Sequence, residues 1–185
     1  MNLLTVIINL FRGVRVNKQE PLSNKAQPKY MNDIEFTVDE RSKKNIATLQ
    51  PELQEVAIQF LKKLKESGID ARIISGTRTY KEQDDLYSKG RFGNPGPVVT
   101  NAKAGYSNHN FGIAFDIGIF NGKDYLESSP LYKKAGEIGE SLGLTWGGRW
   151  KAFPDEPHFE LRPLWAKLMS NSKMLETLRK EKGQI

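Results

Sequence analysis

His109 and His158 are the only two histidines in 185 residues, and each has an aspartate close by. Asp116 follows His109 by seven positions, and Asp155 precedes His158 by three. Two imidazoles, one carboxylate and a spare acid are the parts of a catalytic zinc centre. Such a centre needs three protein ligands, an open position for water and a general base. The chain has no cysteine, so thiolate ligands and disulfides are excluded, and any metal must be held by His and carboxylates. Two His and one acid also serve non-haem iron oxygenases. Those triads usually pair the first His and the acid closely, as His-x-Asp, so the wider gap here counts against that chemistry.

The stretch Ser107-Asn-His-Asn-Phe-Gly-Ile-Ala-Phe-Asp-Ile-Gly-Ile-Phe120 must position the first pair. From Phe111 it alternates, with Phe111, Ile113, Phe115, Ile117 and Ile119 on one face of an expected strand. The other face carries Gly112, Ala114, Asp116 and Gly118, small residues that leave room beside one acid. Fully extended, His109 and Asp116 would stand roughly 23 Å apart at ~3.3 Å per residue. They can share a metal only if the chain folds back near His109, where Asn108, Asn110 and Gly112 suit a turn.

Ser107-x-His109-x-x-Gly112-x-Ala114-x-Asp116 followed by Asp155-x-x-His158 resembles the D-Ala-D-Ala carboxypeptidase/dipeptidase family of zinc peptidases. Within it the chain looks most like the L-alanyl-D-glutamate endopeptidases, many of which are phage endolysins. Ser75-Gly-Thr-Arg78-Thr79, Gln83 and the Trp146-Gly147-Gly148 approach extend the likeness over about residues 36–165. The carboxypeptidase branch usually has Glu three residues before the second histidine. Asp155 there favours the endopeptidase branch, with Glu156 next door as the other candidate base.

The resemblance implies roles. His109, Asp116 and His158 would bind Zn2+, and Asp155 would move the proton between water and the leaving amine. Arg78 would anchor a substrate carboxylate or steady a developing oxyanion. Ser107 and Gln83 would touch substrate or support those that do. Glu160, two residues after His158, would share its face on a strand and is either an outer acceptor for a ligand or a solvated acid. Trp146, Trp150 and Phe153 read as core. The implied substrate is a peptidoglycan stem peptide, cut between L-Ala and D-Glu, with the bacterial cell wall as the place of action. A D-Ala-D-Ala carboxypeptidase and a non-catalytic zinc-containing binding module are the alternatives.

Length and composition fit one soluble domain able to bury a core, at 38% hydrophobic and 27% charged. The net charge is +6 with a pI near 9.4. Its Lys and Arg are spread along the chain apart from Arg179–Lys182, which argues against nucleic acid and fits a polyanionic cell wall. Residues 1–12 are apolar but too short for a membrane span of about 20 residues, and they read as a docked strand or helix. Residues 13–35, with Pro21 and Pro28, read as a linker. The peptidase domain is expected over 36–185, as a monomer.

Within it the expected elements are a helix over 39–49, a second from Pro51 to Gly68 and a strand at Ala71–Ser75. A capped helix follows from Thr79 to about Lys89, then a long Gly/Pro-rich loop over 90–105. After the organising strand come a loop at 121–128 and a helix with Leu131, Ala135, Ile138 and Leu142 inward. Strands at Leu144–Trp150 and His158–Leu161 and a helix over 163–181 complete the order. Helices first, then strands mixed with helices, give an α+β fold: a small, mainly antiparallel sheet flanked by helices, hedgehog/D-Ala-D-Ala peptidase-like.

Overall fold

The computed structural model describes residues 36–182, so the readings of 1–12 and 13–35 lie outside the described residues. Helix α1 spans Glu40–Ile46 and starts at Asp39, whose side chain accepts from the Ser42 amide. Helix α2, Pro51–Glu66, begins with the proline expected at its first turn. It buries Leu53, Ala57, Phe60, Leu61 and Leu64. Gly68, at φ +74, takes the left-handed turn into strand β1, Asp70–Ser75. Helix α3, Tyr80–Ser88, carries the anticipated capping box between Thr79 and Glu82.

The organising strand starts later than its alternation suggests. Asn108–Phe111 form a 3-10 turn, Gly112 stands at φ +69, and strand β2 runs Ala114–Asn121. The turn is the fold-back that His109 needs to approach Asp116. Gly112 permits it because a side chain there would be strained, and a Cβ would come within 3.2 Å of the Gln50 amide nitrogen. Phe111 and Ile113 therefore leave the main core. They join a second cluster with Ala166, Met174, Leu175 and Leu178.

Strand β3, Asp124–Leu126, lies within the expected 121–128 loop. Helix α4 spans Leu131–Ser141, strand β4 Thr145–Trp146 and strand β5 His158–Glu160. The sheet is antiparallel in the order β1-β2-β5-β4, with β3 also on β2. One face packs on α2 and α4 through Phe115, Ile117, Ile119 and Phe159. Phe60 lies 4.7 Å from the Phe159 ring and 6.0 Å from Phe115. Burying one such ring stabilises by about 1.5–3 kcal/mol. This is an α+β fold with a small antiparallel sheet.

Three expectations are corrected. Helix α4 turns Tyr132, Ala135, Gly136 and Gly139 inward, leaving Leu131, Ile138 and Leu142 at the margin of the core. The glycines face in because rings fill their place: a Cβ on Gly136 would sit 2.3 Å from Trp146, and one on Gly139 2.6 Å from Phe159. The strand expected over Leu144–Trp150 stops at Trp146, where Gly147–Arg149 turn as a 3-10 helix. The C-terminal helix is broken: a 3-10 turn at Leu164–Ala166 precedes helix α5, Asn171–Lys182.

Candidate metal centre

Register assembles the centre. Asp116 on β2 pairs directly with His158 on β5 and, on its other side, with Ser75 on β1. Residues opposite one another in an antiparallel pair point to the same face, so Asp116 and His158 meet away from the core. The 3-10 turn at 108–111 delivers His109 to the same point. Its carbonyl accepts from the Arg78 amide at 3.0 Å, and Asn110 Nδ2 donates to the Arg78 carbonyl at 3.0 Å. These bonds tie the turn to the loop after β1.

The three donor atoms form a triangle. His109 Nε2, Asp116 Oδ1 and His158 Nδ1 are 3.2 Å apart in every pair. In a tetrahedral zinc site with bonds of about 2.0–2.1 Å, neighbouring ligand atoms stand about 3.3–3.4 Å apart. The triangle therefore fits one face of such a tetrahedron. Among the described residues, this is the group of His and acids whose ligand atoms converge.

The rest of each side chain is held for that task. His109 Nδ1 faces the Gly76 carbonyl at 2.8 Å, so it carries the proton and leaves the Nε2 lone pair available to a metal. Gly76 reaches that place because a Cβ there would lie 2.5 Å from Thr48 Oγ1. His158 Nε2 donates to Glu160 Oε2 at 3.2 Å, freeing Nδ1 for the centre. Glu160 is buried and also accepts from Asn108 Nδ2, so it is the outer acceptor and not a solvated acid. Arg78 Nη2 pairs with the second oxygen of Asp116.

Electrostatics follow from these contacts. Burial alone would raise the Asp116 carboxyl, but the charges and hydrogen bonds of His109 and His158 hold it well below the usual range. Burial alone would lower His158, yet hydrogen bonds to Asp116 and Glu160 outweigh it and raise the imidazole to about 9. Asp155 is pushed up by burial first and by the negative charge of Asp116 second.

The triangle opens onto a cleft of about 470 Å3, lined among others by Arg78, Ser107, Asp155 and Arg162. Asp155 is half-buried there, whereas Glu156 is exposed. The Trp-Gly-Gly approach holds this loop in place. Trp146 Nε1 donates to the Glu156 carbonyl at 2.8 Å, and the Asp155 amide donates to the Gly147 carbonyl at 3.1 Å. Gly147 allows that approach, since a Cβ would sit 2.5 Å from the Asp155 carbonyl oxygen.

Gln83 does not reach the cleft. It is fully buried, and its Nε2 donates to the Ala102 carbonyl at 2.8 Å, holding the loop that forms one wall. Trp150 and Phe153, read from sequence as core, instead line the cleft, and Trp150 lies 4.9 Å from the His158 ring. Tyr106 joins them on the wall. Nothing in their periodicity distinguishes a wall aromatic from a core one, and Trp150 stands inside the strand expected over Leu144–Trp150, which the structure ends at Trp146.

Known proteins resemble this chain in sequence and in fold. Residues 100–161 match a family model described as D-alanyl-D-alanine carboxypeptidase. The peptidoglycan L-alanyl-D-glutamate endopeptidase CwlK of Bacillus subtilis (strain 168) is 40% identical over 108 residues, covering 52% of this chain and 63% of that protein. The chain thus spans somewhat less than two thirds of the length of that relative.

Two solved structures share the fold. The L-Ala D-Glu endopeptidase ChiX of Serratia marcescens aligns with a TM-score of 0.52 at 24% identity, over 71% of this chain and 94% of its own. A mutant of the vancomycin resistance D,D-pentapeptidase VanY from a VanB-type cassette, in complex with Zn(II), aligns with a TM-score of 0.50 at 15% identity. That match covers 69% of this chain and 78% of the other. The stretch that matches that family model, residues 100–161, holds His109, Asp116, Asp155 and His158, so the likeness to D-alanyl-D-alanine carboxypeptidases falls on the residues of the candidate centre.

Proposed function

We propose that this protein is a zinc metallopeptidase that hydrolyses peptidoglycan stem peptides at the L-Ala–D-Glu bond, residues 36–185 being the peptidase domain. The observation that carries the reading is the 3.2 Å triangle of His109, Asp116 and His158 donors facing a cleft that Asp155 also lines. The likeness to an L-alanyl-D-glutamate endopeptidase supports the choice of bond. Zinc suits the site because its donors are two imidazoles and a carboxylate, with no sulfur. Bound there, zinc would supply Lewis acidity and a lowered pKa for water, to about 7.

The chain's own residues do the rest. Asp155, held near the triangle with a raised pKa, accepts a proton from the attacking water and delivers it to the departing amine nitrogen. Water oxygen bonds to the L-Ala carbonyl carbon, the C–N bond to D-Glu breaks, and the transferred proton leaves on the new amine. Glu160 and the Gly76 carbonyl fix the two imidazoles, and Arg78 keeps Asp116 from rotating. Trp150, Phe153 and Tyr106 supply an apolar wall for the peptide.

The test is digestion of purified bacterial cell wall followed by mass spectrometry of the released ends. New N-termini on D-Glu or its amidated form, with no sugar reducing ends, are expected. Free D-Ala as the main product would replace this reading with a D-Ala-D-Ala carboxypeptidase. Tight zinc binding without any hydrolysis would leave a binding module.

A further inference from the structure

Arg162, two residues past β5, lines the cleft alongside Asp155 and His158. It is half-buried, and a single nitrogen holds it. Nη1 donates to the Met169 carbonyl at 2.6 Å and the Ala166 carbonyl at 3.2 Å. Among the described residues Arg162 has no ion-pair partner, and its Nε and Nη2 donate to nothing. Arg78 differs, because its guanidinium is committed to Asp116. The nearby Glu160 carboxylate is not a free partner for it, because its Oε2 already accepts from His158 and Asn108.

A partly desolvated guanidinium without a counter-ion is costly, and its planar fork matches one ligand geometry above others, that of a carboxylate. The two carbonyls anchor it from one side and so fix the direction of the remaining donors. We infer that Arg162, rather than Arg78, binds a substrate carboxylate, namely the free α-carboxylate of the D-Glu residue beside the scissile bond. The inference rests on the L-Ala–D-Glu reading above. In a stem peptide, D-Glu continues the chain through its side-chain carboxyl, so its α-carboxylate is free unless amidated. The α-carbon that bears it also bears the scissile nitrogen, which brings the anion to the mouth of the same cleft. The enzyme would then prefer stem peptides with D-Glu over those with its amide.

The experiment compares kcat/KM of the zinc-loaded full chain on two synthetic stem peptides differing only in that group, α-carboxylate or α-amide. Wild type should favour the carboxylate roughly 10- to 100-fold, the worth of a charge-assisted hydrogen-bonded pair. Arg162→Gln should lose that factor on the carboxylate peptide and bring the ratio of the two substrates close to one. Arg162→Lys, which keeps the charge and loses the fork, should fall between. A purely structural role in holding the 163–169 turn predicts equal losses on both peptides, and that result overturns the inference. A wild-type ratio near one overturns it without any variant, while leaving the L-Ala–D-Glu reading intact. Cleavage of neither peptide sinks that reading and, with it, the carboxylate assigned to Arg162.

Discussion

Asp116 and His158 are direct partners across β2 and β5, and Oδ1 of the one lies 3.2 Å from Nδ1 of the other. A one-residue slip of β5 would turn His158 into the core and bring Phe159 to the cleft. The stacked pair of Phe115 and Phe159, with centroids 5.8 Å apart on the opposite face, resists that slip. Packing on one face of the sheet therefore holds the geometry of the His109, Asp116 and His158 triangle on the other.

His109→Ala or His158→Ala should abolish zinc retention and hydrolysis together, since each removes one corner of a three-point site. Elemental analysis of the purified variants checks this. Near-stoichiometric zinc in either would remove that residue from the centre. Iron in the wild type, with oxidation chemistry, would indicate an oxygenase instead.

Asp155→Asn should keep zinc and fold yet lose roughly 10²–10⁴ in turnover, the usual contribution of a positioned base. Glu156→Gln, altering an exposed side chain, should stay within a few-fold of wild type. Steady-state kinetics on zinc-loaded proteins separates them. The reverse ranking would make Glu156 the base.

Glu160→Ala removes the acceptor of His158 Nε2 and leaves Asn108 Nδ2 without its partner. Zinc affinity should weaken about 10- to 100-fold, measured by competition with a chelator. Unchanged affinity would mean that the imidazole is oriented by packing alone.

The metal-free protein should show a particular pH profile. His158 is raised from 6.5 to about 9, so its contribution to stability is full below pH 6.5 and is lost as pH rises through about 9. Asp116 is depressed below 3.8, so its contribution is full above that value and is lost as pH falls through the lowered one. The metal-free Tm should accordingly decline between pH 6.5 and 9. At pH 7 zinc uptake should release a proton from His158, seen by calorimetry in buffers of different ionisation enthalpy. A Tm that rises over that interval would contradict the assignment.

Gly147→Ala inserts a methyl 2.5 Å from the Asp155 carbonyl and 3.0 Å from His158 Cβ. The loop over 155–158 must move. The expected cost is about 1–3 kcal/mol by denaturant unfolding, with turnover falling further than zinc content. A fully active variant would show that the loop tolerates displacement.

Much of the molecule was legible one residue type at a time. The inward face of α2, the capping box at Thr79 and Glu82 and the turn at Gly112 depend on neighbours a few positions away, where periodicity and φ preferences act. So did the chemistry of two histidines and two aspartates, because without cysteine few residues can hold zinc. What depended on distant neighbours was not legible. Glycines 136 and 139 face inward because the rings of Trp146 and Phe159 occupy their missing side chains, a complementarity invisible in a hydrophobic pattern. Trp150 and Phe153 belong to a cleft wall, not the core, because the chain turns at Gly147 instead of continuing β4. Glu160 is an outer acceptor, Arg78 the partner of Asp116, and Arg162, among the described residues, a cation without an ion-pair partner, because antiparallel register set β2 between β1 and β5. Local sequence supplied the ligating groups; pairing between strands far apart in the chain decided which of them meet.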